Sequence, residues 1–263
     1  MRASSRIQAS AIAAAILTAA LSACSGGNQA QKQNNALPTV SQVLSRFVDA
    51  VGGEKAILRP HSMTMRSDVT AYGPKQSQLH VSLVVYLANF KRLQVAKMGR
   101  LTYLSGYDGK IGWSVMPGGR VQVIRGHDAI SLRRDADMYY WTHVQSYFRS
   151  MKVVGIENFA GRRCYHLRGT TLWNNENNQY YEVDTGLLAG FRFHQWIAGK
   201  AEKPESRQVF ERYKKFGGIG FATREADFRN DKLVASSRLT SVQFDNVDPH
   251  VFTPPAAVRR LER

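Results

Sequence analysis

From Ser62 to Phe244 most of the chain alternates apolar and polar residues, and it reverses at turns too short to join parallel strands. Leu79, Val81, Leu83, Val85 and Leu87 alternate with His80, Ser82 and Tyr86. Leu101, Tyr103 and Tyr107 lead into Asp108-Gly109, a two-residue hairpin signal, and Ile111, Trp113 and Val115 return beyond it. Pro117-Gly118-Gly119 turns the chain into Val121–Ile124. The same period predicts strands over 152–158, 162–170, 178–184, 187–197, 206–216, 219–229 and 232–244. Turns fall at Asp184-Thr185-Gly186, Phe216-Gly217-Gly218 and Asn230-Asp231. The pattern predicts a mainly β (α+β) domain, an antiparallel sheet of about ten or eleven strands with few helices. A sheet of that size curls strongly or closes.

Two segments keep a different period. Thr39 offers an N-cap, and Val40, Val43, Leu44, Phe47, Val48 and Val51 follow at helical spacing until Gly52-Gly53 stops the helix. Its apolar stripe must lie on another apolar surface. Between 127 and 150 the apolar residues, Met138, Tyr139, Trp141, Val144 and Phe148 among them, lose the period of two. With Asp128 and Asp137 as N-caps, one or two aromatic-rich helices are expected there.

Residues 1–23 read as a secretory signal: Arg2 and Arg6, an apolar run from Ala9 to Ala20, then Leu21-Ser22-Ala23 before Cys24. The run is well short of the ~20 residues that span a bilayer. This ending resembles the bacterial lipobox, which implies cleavage before Cys24 and acylation of its sulfur and of the new N-terminus. Several acyl chains, at ~0.8 kcal/mol per buried methylene, make an anchor that hardly leaves a membrane. Residues 24–38 are then a lipidated cysteine and a polar tether, and 39–263 a single domain. Cys164 is left as the sole thiol, so no internal disulfide forms, and it reads as a small buried hydrophobe.

The chain carries 36 Lys and Arg against 20 Asp and Glu, a net charge of +16; residues 1–23 hold two of the arginines and no acid. Between His61 and Arg134 eleven cations face three acids. Near a membrane such charge suits anionic headgroups, at ~1 kcal/mol per Lys or Arg; without a partner it is a solvated basic surface. Nucleic acid is the weakest reading, because the signal directs export and no nucleic-acid motif is present.

The order of elements resembles the LolA/LolB-like periplasmic lipoprotein-carrier superfamily and its outer-membrane lipoprotein-sorting-like relatives. The likeness is carried by the stretch from Val43 to Gly53, by Tyr107-Asp108-Gly109-Lys110-Ile111-Gly112-Trp113, and by Tyr181-Glu182-Val183-Asp184-Thr185-Gly186-Leu187. It continues in the stretch from Tyr213 to Ala222 and in the one from Phe244 to Pro255. The resemblance implies a strongly curved antiparallel half-barrel that encloses an apolar cavity, with helices plugging its concave side. A lipid-anchored chain cannot shuttle between membranes, so it implies a receptor, insertase or sensor rather than a diffusing chaperone. Ser25 after the lipidated cysteine points to the outer membrane rather than the inner one, facing the periplasm.

No catalytic constellation stands out. None of the seven histidines lies in a helical metal motif, and there is no Gly-x-Ser-x-Gly elbow. Gly217-Gly218-Ile219-Gly220 lies between strands and reads as a hairpin rather than a phosphate loop. No enzyme activity, cofactor or metal is expected. The expected site is an apolar wall of Leu83, Val85, Leu101, Tyr103, Trp113, Val115, Tyr181, Phe191, Phe193 and Phe221. Its lid is Met138, Tyr139, Trp141, Val144 and Phe148, with Arg100, Arg120 or Arg125 at the mouth. Such a wall would hold the acyl chain of a lipid or lipoprotein. The alternative is an envelope interaction or sensor protein on the same fold, with a filled core and a protein partner.

Overall fold

The computed structural model describes residues 36–73, 77–125, 127–194 and 204–261, and for residues 77–83, 127 and 128 the backbone alone. Cys24 and nearly all of the tether lie outside the described residues.

Helix α1 (Val40–Ala50) starts at a capping box: Thr39 Oγ1 accepts from the Gln42 N–H at 3.2 Å, and Gln42 Oε1 accepts from the Thr39 N–H at 2.8 Å. Its stripe buries Val43, Leu44 and Phe47. The helix ends at Gly52, whose φ is +122°, where a Cβ would come within 2.3 Å of the Gly218 carbonyl oxygen. A short α2 (Glu54–Leu58) follows and buries Ile57.

Thirteen strands then form one antiparallel sheet. They are β1 (Ser62–Ala71), β2 (Ser77–Leu87), β3 (Lys91–Met98), β4 (Leu101–Tyr107), β5 (Gly112–Val115) and β6 (Val121–Ile124) in a first meander. The second comprises β7 (Phe148–Phe159), β8 (Arg162–Thr171), β9 (Glu176–Glu182), β10 (Leu188–His194), β11 (Glu205–Phe216), β12 (Ile219–Arg229) and β13 (Lys232–Phe244). Pairing of β1 with β13 joins the two meanders, and β6 and β7 are left as the two edges. The sheet is a half-barrel not closed into a barrel. It has two strands more than the upper expectation of eleven, β1 and β3, which the alternation did not delimit.

The segment between the two edge strands crosses the open side. It holds one α-helix, α3 (His127–Asp135), of the one or two expected, while the aromatics fall in two 3-10 turns, Tyr140–Thr142 and Val144–Tyr147. Strand alternation sorts the sheet into two faces. The inner face carries Gly112, where a Cβ would meet Leu132 of α3, and the residues beneath α1: Leu167, Tyr181, Leu188 and Ile219. The outer face of the second meander has its own cluster of Phe159, Cys164, Tyr180, Ala189 and Val209. Cys164 is fully buried there, and burial pushes its thiol up to about 11.

After β13 the chain makes a 3-10 turn (Pro249–Phe252) that contacts β3, and then α4 (Ala256–Arg260), which contacts β6. These contacts fall on the two strands that flank β4 and β5 in the sheet. Phe252 and Val258 are buried, as is Trp113.

Candidate functional site

Between α1, the crossing segment and the inner face lies a cavity of about 430 Å³. That falls in the range of small-molecule pockets. Helix α1 supplies Phe47 to its wall, the residue after it Val51, and α2 Ile57. The two central strands β1 and β13 give Met63, Met65 and Phe244, and β12 gives Ile219 and Phe221. Strands β10 and β7 give Phe191, Phe193 and Phe148, while the crossing segment closes over them with Met138, Tyr140 and Trp141. The aromatic rings brace one another: Trp141 meets Phe47 edge-on at 5.0 Å and stacks over Phe191 at 6.5 Å.

The crossing segment is pinned by Asp137, a buried residue that reaches the cavity wall. Its carboxylate accepts from the Tyr139 N–H at 3.0 Å and from the Tyr147 hydroxyl, and lies 2.6 Å from His143 Nε2. The Tyr139 hydroxyl donates to the Pro60 carbonyl at 2.7 Å. Burial pushes the Tyr140 hydroxyl up to about 12, and burial together with Asp137 raises that of Tyr147.

One stretch of the floor is polar. Asn177 and Gln208 face the cavity. The Gln208 side-chain amide donates to Glu225 on β12. Burial, reinforced by the neighbouring Asp227, raises the Glu225 carboxyl to about 7, and burial raises Asp227 as well. Among the described residues no three His, Cys, Asp or Glu side chains converge as metal ligands would.

Of the residues expected from the sequence, Trp141, Phe148, Phe191 and Phe193 lie in the cavity wall, as do Met138 and Phe221. Tyr139 packs beside it, and Tyr181 is fully buried behind Phe47, its hydroxyl donating to Gln179 at 2.7 Å. Leu101 is exposed, and neither it nor Tyr103, on the same inner-face side of β4, reaches the wall. Val85, Trp113 and Val115 point to the outer face, Trp113 against Gly106. The side chain of Leu83 lies outside the described residues. Arg100, Arg120 and Arg125 are exposed and outside the wall; its charged groups are Arg134, Asp135 and Asp137. The contributions of α1, α2, Met63, Met65, Tyr86, Asn177, Gln208 and Phe244 were not anticipated. The apolar stripe of α1 and the Met63, Met65 alternation were the local signals for them.

No protein-family model matches the sequence, and no curated protein resembles it significantly. Solved structures do share the fold. A DUF1329 family protein from Desulfovibrio piger superposes with a TM-score of 0.57 at 14% identity, over 81% of this chain and 97% of that one. A LolA superfamily protein from Nitrosomonas europaea gives 0.57 at 11%, over 83% and 99%. A candidate outer membrane lipoprotein-sorting protein domain from Vibrio parahaemolyticus gives 0.53 at 11%, over 84% and 100%. The fold is LolA-like.

Proposed function

We propose that this LolA-like half-barrel is a membrane-tethered binding protein of the bacterial envelope, and that its cavity takes the acyl chain of a lipid or lipoprotein. The observation that carries the reading is the cavity of about 430 Å³ with a wall of aromatic, methionine and branched aliphatic side chains. Burying an acyl chain there would gain ~0.8 kcal/mol per methylene. The likeness to a lipoprotein-sorting domain supports the same class of ligand. In this reading Cys24 is acylated, the tether holds the domain at the outer membrane facing the periplasm, and the protein receives or senses lipid without catalysing a reaction.

The test is native mass spectrometry of the soluble protein lacking residues 1–24, isolated from a bacterial envelope without detergent. The expected result is a stoichiometric acyl-chain adduct that is lost in Phe193→Asp, a half-buried wall position, while the thermal transition persists. An apo mass that also refuses added phospholipid and lipopeptide would overturn the reading in favour of a protein-binding role on the same fold.

A further inference from the structure

The outer face of the second meander carries a line of cations. Lys152 on β7 pairs with Arg168 on β8, Arg168 with Asn178 on β9, Asn178 with Arg192 on β10, and Arg192 with Arg207 on β11. These residues form one row running across the strands. At about 4.8 Å per strand the row extends about 19 Å inward from the open edge at β7.

The cations are poorly neutralised. Among the described residues Lys152, Arg168 and Arg192 have no hydrogen-bond or ion-pair partner, and Arg192 Nε is buried without an acceptor. Arg207 has one partner, the exposed Asp231 at 3.4 Å. Two guanidiniums are held on aromatic rings: Arg192 lies 5.8 Å from the Phe159 centroid and 5.7 Å from that of Tyr180, and Arg207 lies 4.1 Å from that of Phe228. Rings that hold a guanidinium in place leave its donor fork oriented for a carboxylate and lower the entropy lost on pairing.

The shape of the charge selects the partner. Acids flank the row: Glu176 and Glu205 on one side, and Glu157 on the other, bonded to His166 at 2.7 Å. A flat anionic membrane would meet these acids together with the cations. A single thread laid along the row meets the four cations and, between them, Asn178, whose amide donates to Glu176 at 2.8 Å. The chain itself offers no such thread, since residues 25–38 contain no Asp or Glu, and a second copy would bring a net charge of +16. Same-side residues of an extended peptide recur about every 6.7 Å, so four of them span about 20 Å, the length of the row.

We propose that this row docks an extended segment of a partner protein carrying Asp or Glu at alternate positions i, i+2, i+4 and i+6. The site lies on the opposite face of the sheet from the cavity, and the proposal stands independently of what the cavity holds.

Fluorescence anisotropy with a labelled octapeptide of alternating Glu and Ser tests it, against the isomer with four consecutive Glu followed by four Ser. The alternating peptide is expected to bind about tenfold more tightly, with an affinity that falls as salt is raised. Lys152→Glu with Arg168→Glu, both exposed positions, is expected to abolish binding without moving the thermal transition. The milder Lys152→Gln is expected to weaken binding about threefold. Equal binding of the two isomers, or binding indifferent to these changes, would overturn the proposal. So would phosphatidylglycerol vesicles or heparin binding through Lys152 and Arg168 while the alternating peptide does not.

Discussion

Gly52 and Gly53 separate two costs that sequence alone cannot tell apart. Both have positive φ, but a Cβ on Gly52 would strike the Gly218 carbonyl, whereas one on Gly53 meets nothing within 4 Å. Gly53→Ala is expected to cost about 1–3 kcal/mol of unfolding free energy, because its φ of 87° and ψ of 156° lie in a region essentially confined to glycine, and Gly52→Ala clearly more, by denaturant titration. Glu225 gives a pH-dependent expectation. An ordinary glutamate releases its proton near 4.5, whereas folded Glu225, buried and beside Asp227, keeps it to about 7. The folded state therefore binds more protons between those values, and stability falls as pH rises through that window. For a half-buried group the loss should be on the order of 1–2 kcal/mol. Glu225→Gln should flatten the dependence of urea midpoints on pH between 5 and 8; an unchanged slope would show that the proton sits elsewhere.

Among the elements, α1 was legible nearly to the residue, because its cap, stripe and Gly-Gly stop agree locally. Strand β3 was not, because its residues are almost uniformly half-buried and offer no contrast between faces. The candidate wall failed in phase rather than in period. Val85, Trp113 and Val115 alternate as a buried strand face should, but that face is the outer one. In the first meander α3 packs on the inner face, and Val85 and Trp113 are buried on the outer one, so apolar alternation marks burial and leaves the direction open. The lower wall, by contrast, was readable in Phe191 and Phe193, where the outer partners are Arg192 and the polar His194. Phe47 is the side chain through which α1 holds the inner face, touching both Trp141 and Tyr181. Phe47→Ala is expected to cost about 3–5 kcal/mol, read from equilibrium unfolding. Thr39→Ala, which removes the cap alone, should cost about 1 kcal/mol.

For the molecule as a whole, the long alternating pattern fixed the sheet class but not its closing contacts, which join residues far apart in sequence. The strand order pairs β1 with β13, and the segment after β13 returns to lie against β3 and β6. Trp113, on β5 between those two strands, is 2% exposed. Shortening the protein after residue 248 should therefore move tryptophan emission to longer wavelength and lower the cooperativity of unfolding; an unchanged spectrum would mean that something else covers the ring. The same wrap orders events in time. Strand β1 can pair with β13 only after the second meander has been made, and pairings of such long sequence separation form slowly. A sheet completed by pairing its most distant strands therefore stays open for most of its synthesis.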